Sequence, residues 1–303
     1  MRFYIPSVFM ATALLVSCGA KQTTQTQAHL EGGFEHYVYK DSTDRVDITI
    51  DITVPVATDS ATTLIRDSLI KVIDNEFCYI WGEGRVMESY KGEDNSLKTI
   101  IDYYGNNALK EFNKGAEEDY KDRMEYLAED TTITPEERQQ RMEDTPRWEY
   151  SSKIEKEYET PKYTVYEHNS YQYLGGAHGG VTGNGSITFN SAGKKIEKFF
   201  VDGAEAKMQK LLMTGLMDYF SADSNEKLTQ EEVMQWLQIE GNQIPLPARA
   251  PYLSSGGLVL TYQQYEIAAY AAGMPSFAIP YKEVMPYLTD EVKSLLDNTV
   301  NTH

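Results

Sequence analysis

Cysteine is almost absent from this 303-residue chain: Cys18 and Cys78 are the only two. So few thiols exclude a disulfide framework or a Cys-rich zinc site. Basic residues are also scarce, 28 Lys and Arg against 46 Asp and Glu, for a formal charge of −18. That balance excludes nucleic acid, whose phosphates call for Lys and Arg. It also excludes electrostatic adhesion to anionic lipid, while a basic partner would be attracted. Histidine is limited to His29, His36, His168, His178 and His303. None forms an i,i+4 pair, and a meeting of His168 with His178 across a hairpin would still lack ligands, so neither metal nor cofactor is expected. No Gly-x-Ser-x-Gly elbow occurs, since Gly183-Asn184-Gly185-Ser186 lacks it, and no glycine-rich phosphate loop opens a helix. A carboxylate pair for glycoside hydrolysis could be drawn from 46 acids, but nothing in the sequence picks out two. No apolar run reaches the roughly 20 residues of a membrane-spanning helix.

What is present begins at the N-terminus. Arg2 precedes the apolar run Val8–Val16, which leads into Leu15-Val16-Ser17-Cys18. The run has the length of a signal-peptide core. The tetrapeptide resembles the bacterial lipobox, which implies cleavage before Cys18 and acylation of its thiol and new amino group. Several acyl chains would anchor the protein durably, each buried CH₂ contributing roughly 0.8 kcal/mol. An ordinary leader whose cleavage site contains Cys is the alternative. The expected address is the cell envelope, on a membrane. Gly19-Ala20-Lys21-Gln22 carries no acid, which favours the periplasmic side over surface display. Cys78, in Phe77-Cys78-Tyr79-Ile80-Trp81, reads as a small buried hydrophobe.

Residues 1–17 are thus a leader, and 18–33, polar and rich in Gln and Thr, a flexible tether. Val46, Ile48, Ile50, Ile52 and Val54 alternate with polar residues as a half-buried strand that Pro55 ends or places at an edge. Thr58 or Asp59 can cap a helix carrying Leu64, Ile65, Leu69, Val72, Ile73 and Phe77, which should cover that strand. A charged helix is expected from Gly105 to about Ala128, and another after Thr134-Pro135-Glu136-Glu137. Two tyrosine-rich strands follow, from Trp148 and from Tyr163 to Tyr173, with a turn at Glu159-Thr160-Pro161. Strand, tight turn and strand are expected over Ser186–Glu197, then helices over Ala204–Phe220 and from Thr229 to near Ile239. Strands over Leu258–Tyr262 and Phe277–Pro280 and a short helix near Lys282–Tyr287 complete the pattern. Paired strands beside separate helices indicate an α+β fold: two α/β-type subdomains, residues 34–158 and 159–303, with antiparallel or mixed sheets packed by helices.

Four glycines stand among six positions in Gly175-Gly176-Ala177-His178-Gly179-Gly180. Such a block can expose backbone N–H groups to an anion or glycan with His178 at its tip, or form a tight crossover in which His178 caps a carbonyl. The 22 tyrosines are the other anomaly. On a sheet face they can stack on sugars or form a protein interface, or simply suit half-buried strands.

Tyr173-Leu174-Gly175-Gly176-Ala177-His178-Gly179, Tyr262-Gln263-Gln264-Tyr265-Glu266-Ile267-Ala268-Ala269-Tyr270-Ala271-Ala272-Gly273 and Ile279-Pro280-Tyr281 resemble a domain shared by RsiV-type anti-sigma factors and PdaC-type peptidoglycan deacetylases. In the latter it is the non-catalytic N-terminal part. The match covers roughly residues 160–290, and 34–145 look like the smaller α/β domain that often precedes it. The resemblance implies an α+β envelope module that binds something extracellular: a cell-wall glycan, or a basic protein such as lysozyme, the partner of the anti-sigma relatives. The sequence holds neither a sigma-binding segment nor a deacetylase domain. A non-enzymatic binding protein is the reading, with Tyr173, Gly175, Gly176, His178, Tyr265 and Glu266 as candidate contacts. The alternative is an envelope hydrolase using His178 and a nearby acid as base.

Overall fold

The computed structural model describes residues 29–31, 33–78, 87–176, 179–222 and 227–296. Cys18, Ala177 and His178 lie outside them. A first sheet has the order β1-β2-β3-β4-β5-β6, from β1 (His29–Glu31), β2 (Phe34–Ser42), β3 (Val46–Pro55), β4 (Trp148–Glu159), β5 (Tyr163–Tyr173) and β6 (Val181–Asn190). All neighbours pair antiparallel except β3 and β4, which run parallel. A parallel pair needs a crossover. It is supplied here by α1 (Ser60–Cys78), α2 (Leu97–Glu129) and α3 (Pro135–Glu143).

The alternation in β3 sends Val46, Ile48, Ile50, Ile52 and Val54 to one face, each fully buried. Across the strands Tyr37, Tyr39, Trp148, Tyr150 and Ile154 join them, and α1 and α2 cover this first core with Leu69, Ile73, Phe77, Ile101 and Phe112. Asp59 is the residue that caps α1, its Oδ1 accepting from Thr62 N at 2.8 Å. α2 begins at Leu97 rather than near Gly105, because the Ser96 hydroxyl caps it and Leu97, Ile100, Ile101 and Tyr104 extend the buried stripe. α3 carries the expected capping box, with Thr134 and Glu137 reciprocally bonded. Arg138 closes the far end of α2 by donating to the carbonyls of Leu127 (2.7 Å) and Asp130 (2.6 Å). Among the described residues no helix is long and apolar enough to cross a membrane.

A second core is built by α4 (Ala204–Phe220), α5 (Gln230–Trp236) and an antiparallel sheet of β7 (Tyr252–Leu253), β8 (Leu258–Thr261) and β9 (Ser276–Ile279), closed by α6 (Tyr281–Val284) and α7 (Asp290–Leu296). Gly215 lets the Phe277 ring lie directly on α4, where a Cβ would sit 2.0 Å from it. The strand expected after the 191–194 turn shrinks to one bridge, Phe189 to Lys195. That turn instead packs on the start of α1, with Gly193 at φ 77° and space for no side chain beside the Ala61 carbonyl. α5 stops at Trp236, three residues before the expected end, since Leu237 bridges Ala268.

The two cores share the first sheet. Tyr166, Ile187 and Phe189 face the first, whereas Tyr163 and Val165 face the second. A register shift between Lys156 and Tyr158 makes Glu157 the extra residue of a bulge. One inserted residue reverses which side chains face which way, so Ile154 serves one core and Tyr158 packs beside the other. Position 158/159, expected to divide two domains, therefore lies near a hairpin inside a continuous sheet. The division falls between the two faces of that sheet.

Candidate functional site

β6 is an edge strand, and an uncovered edge invites pairing with other chains. Here the edge is closed by side chains of the 262–270 segment. Gln264 Oε1 accepts from Thr182 N at 2.6 Å and Gln263 Oε1 from Asn184 N at 2.8 Å. Gln263 Nε2 donates back to Asn184 O at 2.8 Å, and the Tyr270 hydroxyl donates to Gly180 O at 2.9 Å. The glycine segment and the Tyr-Gln-Gln-Tyr-Glu segment, some eighty residues apart, thus meet along one strand.

Glu266 is turned inward within this arrangement. Its Oε2 accepts from Gln263 N at 2.7 Å and its Oε1 from Ala248 N at 2.6 Å, so it clamps the turn. The turn presents Tyr265, 53% exposed, at φ 64°, the only positive φ outside glycine among the described residues. A left-handed backbone costs an L-residue roughly 1–2 kcal/mol. The ring lies 5.5 Å from that of Tyr270. Val181, which follows the Gly180 carbonyl held by Tyr270, is exposed, and exposed Trp236 stacks on Phe220 at 5.9 Å. Tyr219, beside Phe220, donates to Ala272 O at 2.9 Å, tying those rings to the same segment.

The other sequence candidates sit at the end of β5. The Tyr173 hydroxyl donates to Gly176 O at 3.1 Å. Gly175, at φ 72°, is held toward α2, its carbonyl accepting from Arg123 Nη2 at 2.9 Å and its Cα facing the Trp148 indole. The structure therefore groups Tyr265 and Tyr270 with Gly179–Val181, and ties Gly175 to the first core. A broad depression lies elsewhere, between α2 and α3, lined by Asp119, Asp122, Arg123, Tyr126 and Arg141; neither Tyr265 nor Glu266 borders it.

Two features escaped the sequence reading. One is a cleft of about 240 Å³ between the two sheets, lined by Glu157 and Glu167 and by Asn184, Ser186, Tyr252, Thr261 and Ser276. Asn184 Nδ2 donates to Glu167 Oε1 at 2.9 Å, and the Thr261 and Ser276 hydroxyls bond at 2.9 Å. Burial, then the charges of Glu157 and Glu167, push the Tyr252 phenol up, so it stays a donor. The only sequence signal here is strand register, which needs the partner strand to be read.

The other feature is a polar knot inside the first core. Glu76 Oε2 accepts from the Ser152 hydroxyl at 2.7 Å and meets His168 Nε2 at 3.0 Å. Burial alone would raise the Glu76 carboxyl; the hydrogen bond and charge of His168, with Tyr150 and Ser152, hold it below its ordinary value. Ser152 also touches His168 Nε2, at 3.3 Å. A nucleophile relay needs serine and acid on opposite ring nitrogens. Here both meet the same one, and Ser152 is 1% exposed, so the cluster fastens α1 to β4 and β5. Among the described residues no three His, Cys, Asp or Glu side chains gather as a metal site.

Residues 41–180 match the family described as deacetylase PdaC, and residues 197–282 match a protein family of unknown function, DUF3298. No curated protein matches the chain. Among solved structures, a DUF3298 family member from Bacteroides fragilis superposes with a TM-score of 0.62 at 19% identity, covering 91% of this chain and 99% of its own. A DUF3298 family protein from Pseudomonas aeruginosa gives 0.52 at 16% identity, with 86% and 95% covered. At those identities the likeness is one of fold. The inter-sheet cleft takes Glu157 and Glu167 from the first matched region and Tyr252, Thr261 and Ser276 from the second. Two family models thus match successive parts of this chain, the deacetylase PdaC model over residues 41–180 and the DUF3298 model over residues 197–282.

Proposed function

We propose that this chain is a lipid-anchored, non-catalytic binding protein of the cell envelope that recognises a cell-wall glycan. The observation supporting it is Tyr265, held outward on a left-handed backbone beside Tyr270 and the Gly179–Gly180 backbone. Backbone strain persists where surrounding contacts enforce it and function uses it. Flat, exposed aromatic rings stack on the apolar faces of sugar rings, and their hydroxyls meet the sugar's polar rim. Glu266 and the two glutamines set the angle of this platform without being spent on ligand. The hydrolase reading depended on His178, outside the described residues, and the one buried His–Glu pair among the described residues is the structural knot of His168 and Glu76.

Tyr265→Gly separates binding from folding. Glycine adopts φ 64° freely, which offsets its own entropic cost of roughly 0.5–1 kcal/mol. Melting temperature should stay within a few degrees of wild type while sedimentation with insoluble peptidoglycan falls at least fivefold, a loss of about 1 kcal/mol. Undiminished co-sedimentation would remove the platform from the account. For the anchor, Cys18→Ser should release soluble protein or accumulate an unprocessed precursor. Unchanged membrane fractionation would contradict lipidation at Cys18.

A basic protein is the second reading, favoured by the charge of −18. Binding of lysozyme that vanishes above ~0.3 M salt, where the Debye length falls to several ångströms, would support charge-driven association. Equal binding of lysozyme by Tyr265→Gly would assign it to a different surface.

A further inference from the structure

The cleft between the two sheets is distinct from the Tyr265 platform, and its chemistry is more specific. At about 240 Å³ it has space for one sugar ring. Half of its wall is neutral and hydrogen-bonding: Ser186, Thr261, Ser276, Asn184 and Tyr252. Ser186 donates to Pro251 O at 2.9 Å, which leaves its lone pairs free for a ligand hydroxyl.

The two carboxylates are placed at a cost. Glu155 stands directly opposite Glu167 in the β4–β5 register, and like charges in that position oppose pairing. Lys153 pairs with Glu155 at 2.7 Å and acts on Glu167 as a longer-range charge, while Glu167 accepts from the neutral Asn184 amide. Glu157 is the bulge residue, and bulges commonly re-aim a side chain beside a site. Neither Glu157 nor Glu167 forms an ion pair among the described residues.

We propose that this cleft binds an amino sugar with a free amine, its ammonium between Glu157 and Glu167 and its hydroxyls on Ser186, Thr261 and Ser276. The ligand class follows from the walls: two carboxylates outside any ion pair among the described residues select a cation, and the hydroxyls select a polyol. The assignment deepens the glycan reading but uses a separate surface, so the two fail separately.

The test is calorimetric titration of the full chain in detergent at about pH 6, where an amine stays protonated. Glucosamine should bind saturably, and N-acetylglucosamine, without the charge, at least tenfold more weakly, the difference one charge-assisted hydrogen bond supplies. Glu157→Gln and Glu167→Gln should each weaken glucosamine at least tenfold, while Glu167→Gln raises the melting temperature of the free protein by relieving repulsion. Tyr265→Gly should leave glucosamine affinity unchanged and lower only the retention of insoluble peptidoglycan. No saturation by about 50 mM glucosamine, equal affinity for the acetylated sugar, or indifference to both Glu→Gln changes would each overturn the proposal. Lysine amide binding as tightly as glucosamine would overturn it in favour of a basic peptide.

Discussion

Replacing Glu76 with Ala should destabilise the protein by about 3 kcal/mol at neutral pH, because several buried groups lose their acceptor at once. The Ser152 hydroxyl is 1% exposed and bonded to this carboxylate, and His168 reaches the same oxygen. The effect depends on pH, with a definite sign. The Glu76 carboxyl is held below its ordinary value despite burial. A depressed folded-state value means that the unfolded chain binds the proton first, so the contribution is complete above the unfolded value of about 4.3. It is lost as pH falls from there through the folded value. Urea midpoints for wild type and Glu76→Ala should therefore differ most at pH 6–8 and converge below about pH 4. A gap that stays constant with pH would show that Glu76 acts by packing alone.

Phe112→Ala should cost about 3–5 kcal/mol, the range for deleting a buried ring. Phe112 is fully buried and meets Trp148 and Tyr150 edge-on at centroid distances of 6.2 Å and 5.5 Å. For a chain of this size the melting temperature should fall by roughly 10 °C. One transition is expected, because β4 and β5 carry side chains of both cores and neither can melt while the shared sheet stays whole. Calorimetry decides both points. A loss under 1 kcal/mol would mean that the site collapses around the cavity, and two separated peaks would mean that the cores are independent.

Elements with strong local periodicity were legible in the sequence. The alternation of β3, the stripe of α1 and the Thr-Pro-Glu-Glu start of α3 appear where their patterns place them. The short strands β7 and β1 and the helix α7 were not, since segments of two to seven residues carry too little periodicity to register. Tyr163, Val165 and Tyr166 illustrate the harder limit. They read as one half-buried strand, yet successive residues feed two different cores.

The candidate surfaces divide the same way. Tyr265 and Glu266 stood out by composition, and only the folded chain separates an outward ring from an inward clamp. Glu157 and Glu167 were two acids among 46. Their juxtaposition comes from strand register and a one-residue bulge, which are non-local pairings that no window of sequence encodes.

By itself the sequence determined the acidic charge, the absence of a disulfide framework, the lipobox-like Leu15–Cys18 and the α+β class. These follow from composition and short-range pattern. Tertiary structure alone decided that one sheet serves two cores, that glutamines close its edge, and that a cleft opens between its face and a second sheet. The reason is physical: side-chain direction in a strand has period two, so one bulge or one change of partner reassigns every residue beyond it.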